Sequence, residues 1–457
     1  MSPNPWLTVS SLLILPFLIF PLWRKGEPPV LSFLLFLQWL EVSLKIFHAD
    51  FQHVTVEEMF KREGAFYSGT EIEHALWLSL AGLAALAMGM RCAIARMRFS
   101  KFPENETQFE ISFFSTRKLF MAYLVLFGLY ASSNSFVWLN PGLSQPLLAL
   151  LNFKWAALFL LAYAVFQRKA GYSYLVITLL LEIVSGFLSY FAQFRGVFLV
   201  LASAFLTLHF RMRMKAVIVV LIMLSIFLFL GSVWSAIKME YRSFLMSKEE
   251  TEQSMAPVQT RSQKLFELIG SVNLQQGGET LAERIAYVDF FARVLQMVPQ
   301  YVPHENGSLW RNAVMHVLTP RLLFPDKPDL ESDSEITRRY TGVMVAGAEK
   351  QTSIGIGYFA ESYVDFGPRL MFLPLLLLGL LQGLIYRYFV SRAKIGPIRY
   401  GVVTASLLFS GASVATACAK VLGALVMNFI ITAFFIKLFG RRFINWASRR
   451  QPIRPIA

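Results

Sequence analysis

The chain has 457 residues, of which 55% are hydrophobic and 16% charged, and its mean hydropathy is +0.51. So many Phe and Leu residues beside so few charges exclude a soluble globular protein of this size. The formal net charge of +14 raises the alternative of a nucleic-acid-binding protein, but the position of the charges along the chain argues against it.

A helix needs about 20 apolar residues to cross the hydrocarbon core of a bilayer. Eleven apolar runs of about this length, bounded by charges or by Pro and Gly, predict membrane spans. They cover residues 6–23, 29–48, 72–90, 118–137, 147–166, 172–191, 196–210, 215–237, 368–386, 399–416 and 421–438. We therefore expect an all-α polytopic membrane helix bundle of about 11 spans, with one large external loop before the last three spans.

This pattern divides the chain into three parts. Residues 1–237 form an N-terminal membrane bundle of about eight spans, and residues 238–367 form the large external loop with amphipathic helices. Residues 368–457 hold the last spans and a basic cytoplasmic tail.

The basic residues predict the orientation of the bundle. If the N-terminus is outside, 22 Lys and Arg residues fall in cytoplasmic segments and only four in short external turns. The positive-inside rule then places the C-terminus in the cytoplasm. The basic balance reports contact with anionic membrane lipid, and no nucleic-acid partner is expected. Cys92 and Cys418 fall on opposite sides of the membrane, so they cannot form a disulfide, and no Cys or His spacing indicates a metal site.

Several polar residues lie within or at the ends of the spans. Glu41 and Lys45 are four residues apart, so they share a helix face and can neutralise each other. Glu182 lies in mid-span, where it either carries protons or cross-links helices, and Lys154 either snorkels to the interface or faces a cavity. Arg195 has no acidic residue close in sequence, so its guanidinium is suited to grip a phosphate; the alternative is an interfacial arginine.

The external loop holds most of the chemically active side chains. At about 130 residues it is longer than an ordinary connection, which favours a functional segment or a small domain. Residues 279–298 predict an amphipathic helix. Ser308 is expected to cap a second helix, which carries Arg311 and His316 and ends at Thr319.

Three further arginines follow this second helix. Arg321 lies in a turn rich in proline, and prolines fix the backbone in a way that can aim a side chain; a rigid surface loop is the alternative. Arg338 and Arg339 follow an acidic run, so at least one of them can be engaged in a salt bridge.

The end of the loop combines small residues with carboxylates. The glycines of the segment 352–357 can bring backbone N–H groups close to an anion, although the segment lacks the ending of a nucleotide-binding P-loop. Glu361 and Asp365 are four residues apart and share one helix face at the membrane boundary. One of them could act as a general base.

Together these residues favour the handling of a lipid-linked pyrophosphate at the outer membrane face. Arginines would neutralise the leaving group, and a base would deprotonate an acceptor hydroxyl. The energy would come from the lipid pyrophosphate bond, so neither ATP nor any other cofactor is expected.

The segment HVLTPRLLFPDKPDLESDSEITRRYTG, followed by TSIGIGYFAESYVDFG and a span, resembles the Wzy-type oligosaccharide repeat-unit polymerases, the O-antigen and exopolysaccharide polymerase family. In topology the resemblance spans most of the chain, and in motif it covers residues 311–367 and Arg195. Eleven spans are slightly fewer than is usual in that family.

The resemblance implies a membrane glycosyltransferase with a GT-C-like fold in the bacterial cytoplasmic (inner) membrane, working on its outer face without metal. A growing glycan on undecaprenyl pyrophosphate would pass to a sugar hydroxyl of the next lipid-linked unit during surface polysaccharide biosynthesis. The flippase and the chain-length regulator of the same pathway would be its partners.

The residue roles follow from this resemblance and from the residue types. Arg195, Arg321 and Arg338 would hold the pyrophosphate, with assistance from Arg311 and Arg339. His316 or Glu361 would be the base, and Asp365 would orient it.

Two other functions remain open at this point. A ligase that moves finished glycan to lipid A or protein would use the same donor and fold and would differ only in its acceptor. A transporter or flippase would be expected to show charges along a midplane path or an internal repeat, of which the sequence offers only Glu182.

Overall fold

The computed structural model describes most of the chain. The described residues are 2–62, 69–95, 114–139, 144–188, 195–208, 214–249, 258–273, 277–278, 280–281, 287–319, 321, 324, 326–347, 353–391, 397–411 and 413–448. All regular secondary structure within these ranges is helical, which confirms the all-α prediction.

Ten described helices begin before the external loop, and the last of them extends into its first residues. They are α1 (Pro5–Ile19), α2 (Val30–Phe51), α3 (Val56–Arg62), α4 (Thr70–Ala95), α5 (Thr116–Leu139), α6 (Ser144–Leu151), α7 (Phe153–Arg168), α8 (Tyr172–Phe187), α9 (Arg195–Leu208) and α10 (Met214–Glu249). Five helices follow in the loop and at its end: α11 (Val258–Gly270), α12 (Val288–Met297), α13 (Ser308–Leu318), α14 (Asp333–Thr341) and α15 (Gly357–Leu370). The chain closes with α16 (Phe372–Val390), α17 (Ile398–Leu408) and α18 (Cys418–Ala447).

Each of the eleven apolar runs overlaps at least one described helix, but the helices differ in length. The run 147–166 covers parts of α6 and α7, and the run 399–416 is helical only as far as Leu408. Within the described residues, six helical segments are long and apolar enough to cross a membrane. They are Val30–Phe51, Thr70–Ala95, Gln145–Arg168, Leu221–Phe244, Phe372–Val390 and Cys418–Ala447. Four further apolar helices, α1, α8, α9 and α17, have 11 to 16 residues.

Glycines bring α4 and α16 into close contact. A Cβ atom at Gly379 of α16 would lie 2.1 Å from the carbonyl oxygen of Leu86, and one at Gly89 of α4 would lie 2.0 Å from that of Leu376. Gly379 and Gly383 form the GxxxG spacing that lets the backbones of two membrane helices approach each other. The close approach fixes the first span after the loop against the N-terminal bundle.

A buried ion pair joins three helices of the bundle. Lys154 of α7 and Glu182 of α8 lie 3.1 Å apart, and each side chain is no more than 3% exposed. The hydroxyl of Tyr123 on α5 donates to the other carboxylate oxygen at 2.7 Å, and the Lys154 ammonium lies 3.7 Å from the ring centre of Tyr130. Paired ions of this kind cross-link helices where an unpaired charge would be very costly.

The loop is fastened to the bundle by α12. Asp289 at its start pairs with the buried Lys45 of α2 at 3.0 Å, and the helix packs on α4. Glu41, expected to neutralise Lys45, accepts hydrogen bonds from the backbone N–H of Val414 and the hydroxyl of Ser413. Of the helix expected over 279–298, the structure describes regular helix over Val288–Met297.

The glycine contact gives a test of the packing. Gly379→Ala places a methyl group against the Leu86 carbonyl, so we expect a loss of about 1–3 kcal/mol, seen as a fall of several degrees in the apparent melting temperature in detergent. Gly423→Ala in α18 is the matched control, because a Cβ there meets nothing within 4 Å. Equal melting temperatures for the two variants would contradict the close approach.

Candidate functional site

A surface cavity of about 710 Å³ lies between the second half of α13 and the segment that follows it. It is large enough for a drug-sized ligand or several sugar rings. Its lining combines apolar, acidic and basic side chains: Asn312, Met315, His316, Thr319, Phe324, Asp326, Lys327, Pro328, Asp329, Leu330 and Glu331.

The helix that forms one wall of the cavity is held at its N-terminal end. Gly307 precedes it with φ +88°, a left-handed conformation that glycine adopts without strain. The expected cap, Ser308, is the first helical residue, and its hydroxyl donates instead to Glu305. Asp365 of α15 provides the cap, because its carboxylate accepts from the backbone N–H groups of Leu309 and Trp310 at 3.1 and 2.8 Å.

His316 lines the cavity among basic groups. Burial is the largest effect that lowers the pKa of its imidazole, and the positive charges of Lys327 and Arg321 lower it further, while Asp329 opposes them. The Lys327 ammonium donates to the backbone carbonyl of His316 at 2.9 Å. Since the lowered pKa favours the neutral imidazole at neutral pH, His316 can accept a proton there.

Two of the predicted arginines form ion pairs with acidic residues that line this cavity. Arg321 forms an ion pair with Asp329, and Arg339 of α14 forms one with Glu331. Because exposed ion pairs contribute little free energy, an anion that binds in the cavity can replace Asp329 or Glu331 as the partner of these guanidinium groups with little loss of free energy.

The other two loop arginines are placed differently. Arg338 donates through Nε and Nη2 to the carbonyl oxygen of Val345, at 3.0 and 2.6 Å, which supports the turn after α14. Arg311 is exposed on α13, next to the lining residue Asn312.

The two predicted carboxylates are buried at the junction between the loop and the bundle. Glu361 is 2% exposed and accepts from the backbone N–H of Cys418 at 2.6 Å, where α18 begins. Asp365 is 1% exposed and caps α13, as described above. Burial is the main effect that raises the pKa of both, to about 7 for Glu361. Each carboxylate therefore serves as the acceptor at the start of a helix.

Arg195 begins α9, on the bundle side of this junction. It is exposed, and it lies close enough to Glu41 for its charge to act on that carboxylate. His316 lines the cavity, whereas neither Arg195 nor Glu361 is among its lining residues. Along α13, His316 lies seven residues beyond Leu309, about 10 Å at the helical rise of 1.5 Å per residue.

The segment 352–357, which is rich in small residues, packs against the rest of the protein from residue 353 onward, where the structure describes it. Residues 348–352 lie outside the described residues. The Ser353 hydroxyl donates to Asp333, and both groups contact the Lys420 ammonium at the start of α18. Gly357 has φ +79°, and a Cβ there would lie 2.2 Å from the carbonyl oxygen of Val414, so its role is close packing.

Some residues of the cavity were missed by the sequence reasoning. Lys327 is the clearest of them, since its ammonium lies beside His316 and faces the same space. Its position between Pro325 and Pro328, in the turn predicted to aim Arg321, was the available signal.

Comparison with known proteins gives a family without an assigned activity. A family model described as a domain of unknown function, DUF8712, matches residues 28–393, and the chain belongs to that family. No curated protein and no solved structure matches the chain.

The junction carboxylate makes the stability depend on pH. The pKa of Glu361 is raised from 4.5 to about 7, so the folded state binds its proton more tightly and stability falls as pH rises between these values. Its contribution is on the order of 3 kcal/mol at most. We expect the apparent melting temperature of Glu361→Gln to gain on that of the wild type as the pH rises through this window.

Glu267→Gln, at an exposed position of α11, is the control for that comparison. A melting-temperature difference between Glu361→Gln and the wild type that does not change with pH would show that the Glu361 carboxyl does not titrate in this window.

The basic surroundings of His316 give a second test. Lys327→Met removes a positive charge that lowers the pKa of the imidazole, so the pKa of His316 should rise. Diethyl pyrocarbonate reacts with neutral imidazole, and mass spectrometry of the His316 peptide at a series of pH values reports the midpoint. Lys264→Met, which removes a lysine that pairs with Glu240 and Glu267, should leave the midpoint of the His316 titration unchanged. An unchanged midpoint in Lys327→Met would contradict the position of Lys327 beside His316.

Proposed function

We propose that this DUF8712 protein is a membrane glycosyltransferase that polymerises lipid-linked oligosaccharide repeat units. The donor is a growing glycan on undecaprenyl pyrophosphate, and the acceptor is a sugar hydroxyl of the next lipid-linked unit. The location proposed with it is the bacterial cytoplasmic membrane, with the loop on the outer face, the N-terminus outside and the C-terminus in the cytoplasm. A GT-C-like arrangement of about 11 spans belongs to the same proposal.

The observation that carries the proposal is the cavity beside α13. His316 and Lys327 line one space large enough for sugars, beside the acids Asp326, Asp329 and Glu331, and Arg321 and Arg339 pair with the last two of these acids. Transfer from a lipid pyrophosphate requires a base and an anion-binding group together. The cavity wall also lies beside the membrane bundle, because α13 packs against α18. Exposed apolar side chains on α13, among them Met315 and Leu318, suit a position at a lipid surface.

The proposed step moves one proton and one glycosyl group. His316 takes the proton from the acceptor hydroxyl as its oxygen forms the new glycosidic bond. The bond between the donor sugar and the pyrophosphate oxygen breaks, and undecaprenyl pyrophosphate leaves with the bonding electrons. Arg321, Arg339 and Lys327 stabilise the negative charge that develops on the leaving group.

Neighbouring groups assist in this scheme. Arg311 extends the basic surface along α13. We assign Arg195 and Arg338 to the outer part of the substrate path, and Glu361 and Asp365 to holding α13 and α18 in position around it. Glu361 remains the second candidate for the base, since burial raises the pKa of its carboxyl and so makes the carboxylate a stronger base.

Arg321→Gln tests the anion-binding group. We expect elongation of a lipid-linked oligosaccharide by the purified protein to fall at least tenfold, because a charge-assisted contact to the leaving group is lost. The Arg321 side chain is 33% exposed, so folding should survive, which the melting temperature checks. Arg369→Gln is the matched control, since Arg369 is an exposed arginine just before α16.

The same assay separates the rival functions. Full elongation by Arg321→Gln would remove this residue from the site, and no elongation by the wild type would exclude the polymerase. Transfer of glycan to lipid A but not to a second lipid-linked unit would identify a ligase, and transbilayer movement without chemistry would identify a flippase. Loss of activity with a chelator would contradict the metal-independent step.

A further inference from the structure

A second group of polar residues lies inside the membrane bundle, where the last pair of helices is interrupted. α17 ends at Leu408 after 11 residues and α18 begins at Cys418, and none of the described residues between them is helical. A helix of 11 residues covers only about 16 Å of a hydrocarbon core of roughly 30 Å. Irregular backbone at this depth is tolerated where it is buried in protein or lines a polar site.

Two glutamines from the middles of other spans meet this interruption. Gln38 of α2 and Gln382 of α16 are both 0% exposed. The Gln38 side-chain N–H donates to the carbonyl oxygen of Gly411 at 2.6 Å, which leaves its Oε1 without a partner in the described part of the chain. Neither the oxygen nor the nitrogen of the Gln382 amide has a hydrogen-bond partner there. Buried amides left in this state are costly, so a bound species that satisfies them would stabilise the bundle.

The two amides lie against the same residue, and a carboxylate is close by. A Cβ atom at Gly411 would lie 2.6 Å from Nε2 of Gln382, so both glutamines contact this glycine. Glu41 lies three residues after Gln38 on α2 and binds the next part of the interruption at Val414 and Ser413. Residues three apart share a helix face, so the Glu41 carboxyl group and the Gln38 amide lie on the same side of α2.

This donor set matches a small monovalent cation. It offers neutral oxygens and a single carboxylate, whereas divalent cations in proteins are usually held by several carboxylates. The C-terminal end of α17 directs its partial negative charge towards the interruption, and unwound backbone beside a helix C-terminus coordinates Na⁺ in other membrane proteins.

We propose that the interruption between α17 and α18 binds one sodium ion, with Gln38, Gln382 and Glu41 as its side-chain ligands. The amide of Gln382 turns its oxygen to the ion. The ion ties α2 and α16 to the segment that leads into α18. This site is separate from the cavity beside α13, and it does not depend on the glycan-transfer proposal.

The first test measures thermal stability of the full-length protein in detergent. Sodium, potassium and N-methylglucamine chlorides are compared at equal ionic strength. We expect sodium to raise the apparent melting temperature by several degrees in a saturable way, because a ligand of the folded state stabilises it by mass action. Gln382→Leu should lose this shift. Gln296→Leu, at a buried glutamine of α12 in the external loop, should keep it.

The second test is the saturable binding of radioactive sodium to the purified wild-type protein, which needs no variant. Binding that unlabelled sodium displaces and potassium does not displace is the expected result. Equal melting temperatures in the three salts, a full sodium shift in Gln382→Leu, or the lack of saturable sodium binding would each overturn the proposal. If Gln382→Leu does not fold, Gln38→Met removes the second amide and is judged by the same sodium shift.

Discussion

The need to satisfy backbone polar groups where helices begin inside or beside a membrane governs this structure. Glu41 accepts from the N–H of Val414, Glu361 from that of Cys418, and Asp365 from the first turn of α13. In a medium without water, an unpaired N–H costs several kcal/mol, so each carboxylate secures the helix or segment that it meets. The junction between loop and bundle is held together by these acceptors.

The residues that hold the loop on the bundle are different from the residues that line the cavity. The buried carboxylates and the Lys45–Asp289 pair fix α12, α13 and α15 on the bundle. The cavity residues are more exposed, and their cations are held by Asp329 and Glu331, from which an anion can release them. A firmly held helix wall next to weakly paired cations is a suitable arrangement for binding a charged substrate and then releasing it.

Much of the fold could be predicted from the sequence, because the apolar runs are long and local. Every predicted run overlaps at least one described helix, but the run 399–416 is helical only as far as Leu408, and six helical segments among the described residues are long enough by themselves to span a membrane. The candidate site was predicted less completely. The turn around Arg321 was recognised, but Lys327 beside it was not, and Ser308 was expected to provide the cap that Asp365 provides. Capping by a side chain 56 residues away leaves no local pattern.

The sequence by itself determined that the protein is helical and rich in apolar runs, with its arginines, histidine and carboxylates gathered in one late segment. These properties depend on composition and on spacings of a few residues. Only the tertiary structure decided which residues form ion pairs and which side chains cap helices. Lys45 binds Asp289, 244 residues away, although Glu41 lies one turn from it, and Glu361 and Asp365 serve helix starts far along the chain. Ion pairs and caps in a bundle are set by which helices meet, and that depends on packing, such as the glycine contact of α4 with α16, which no local pattern specifies.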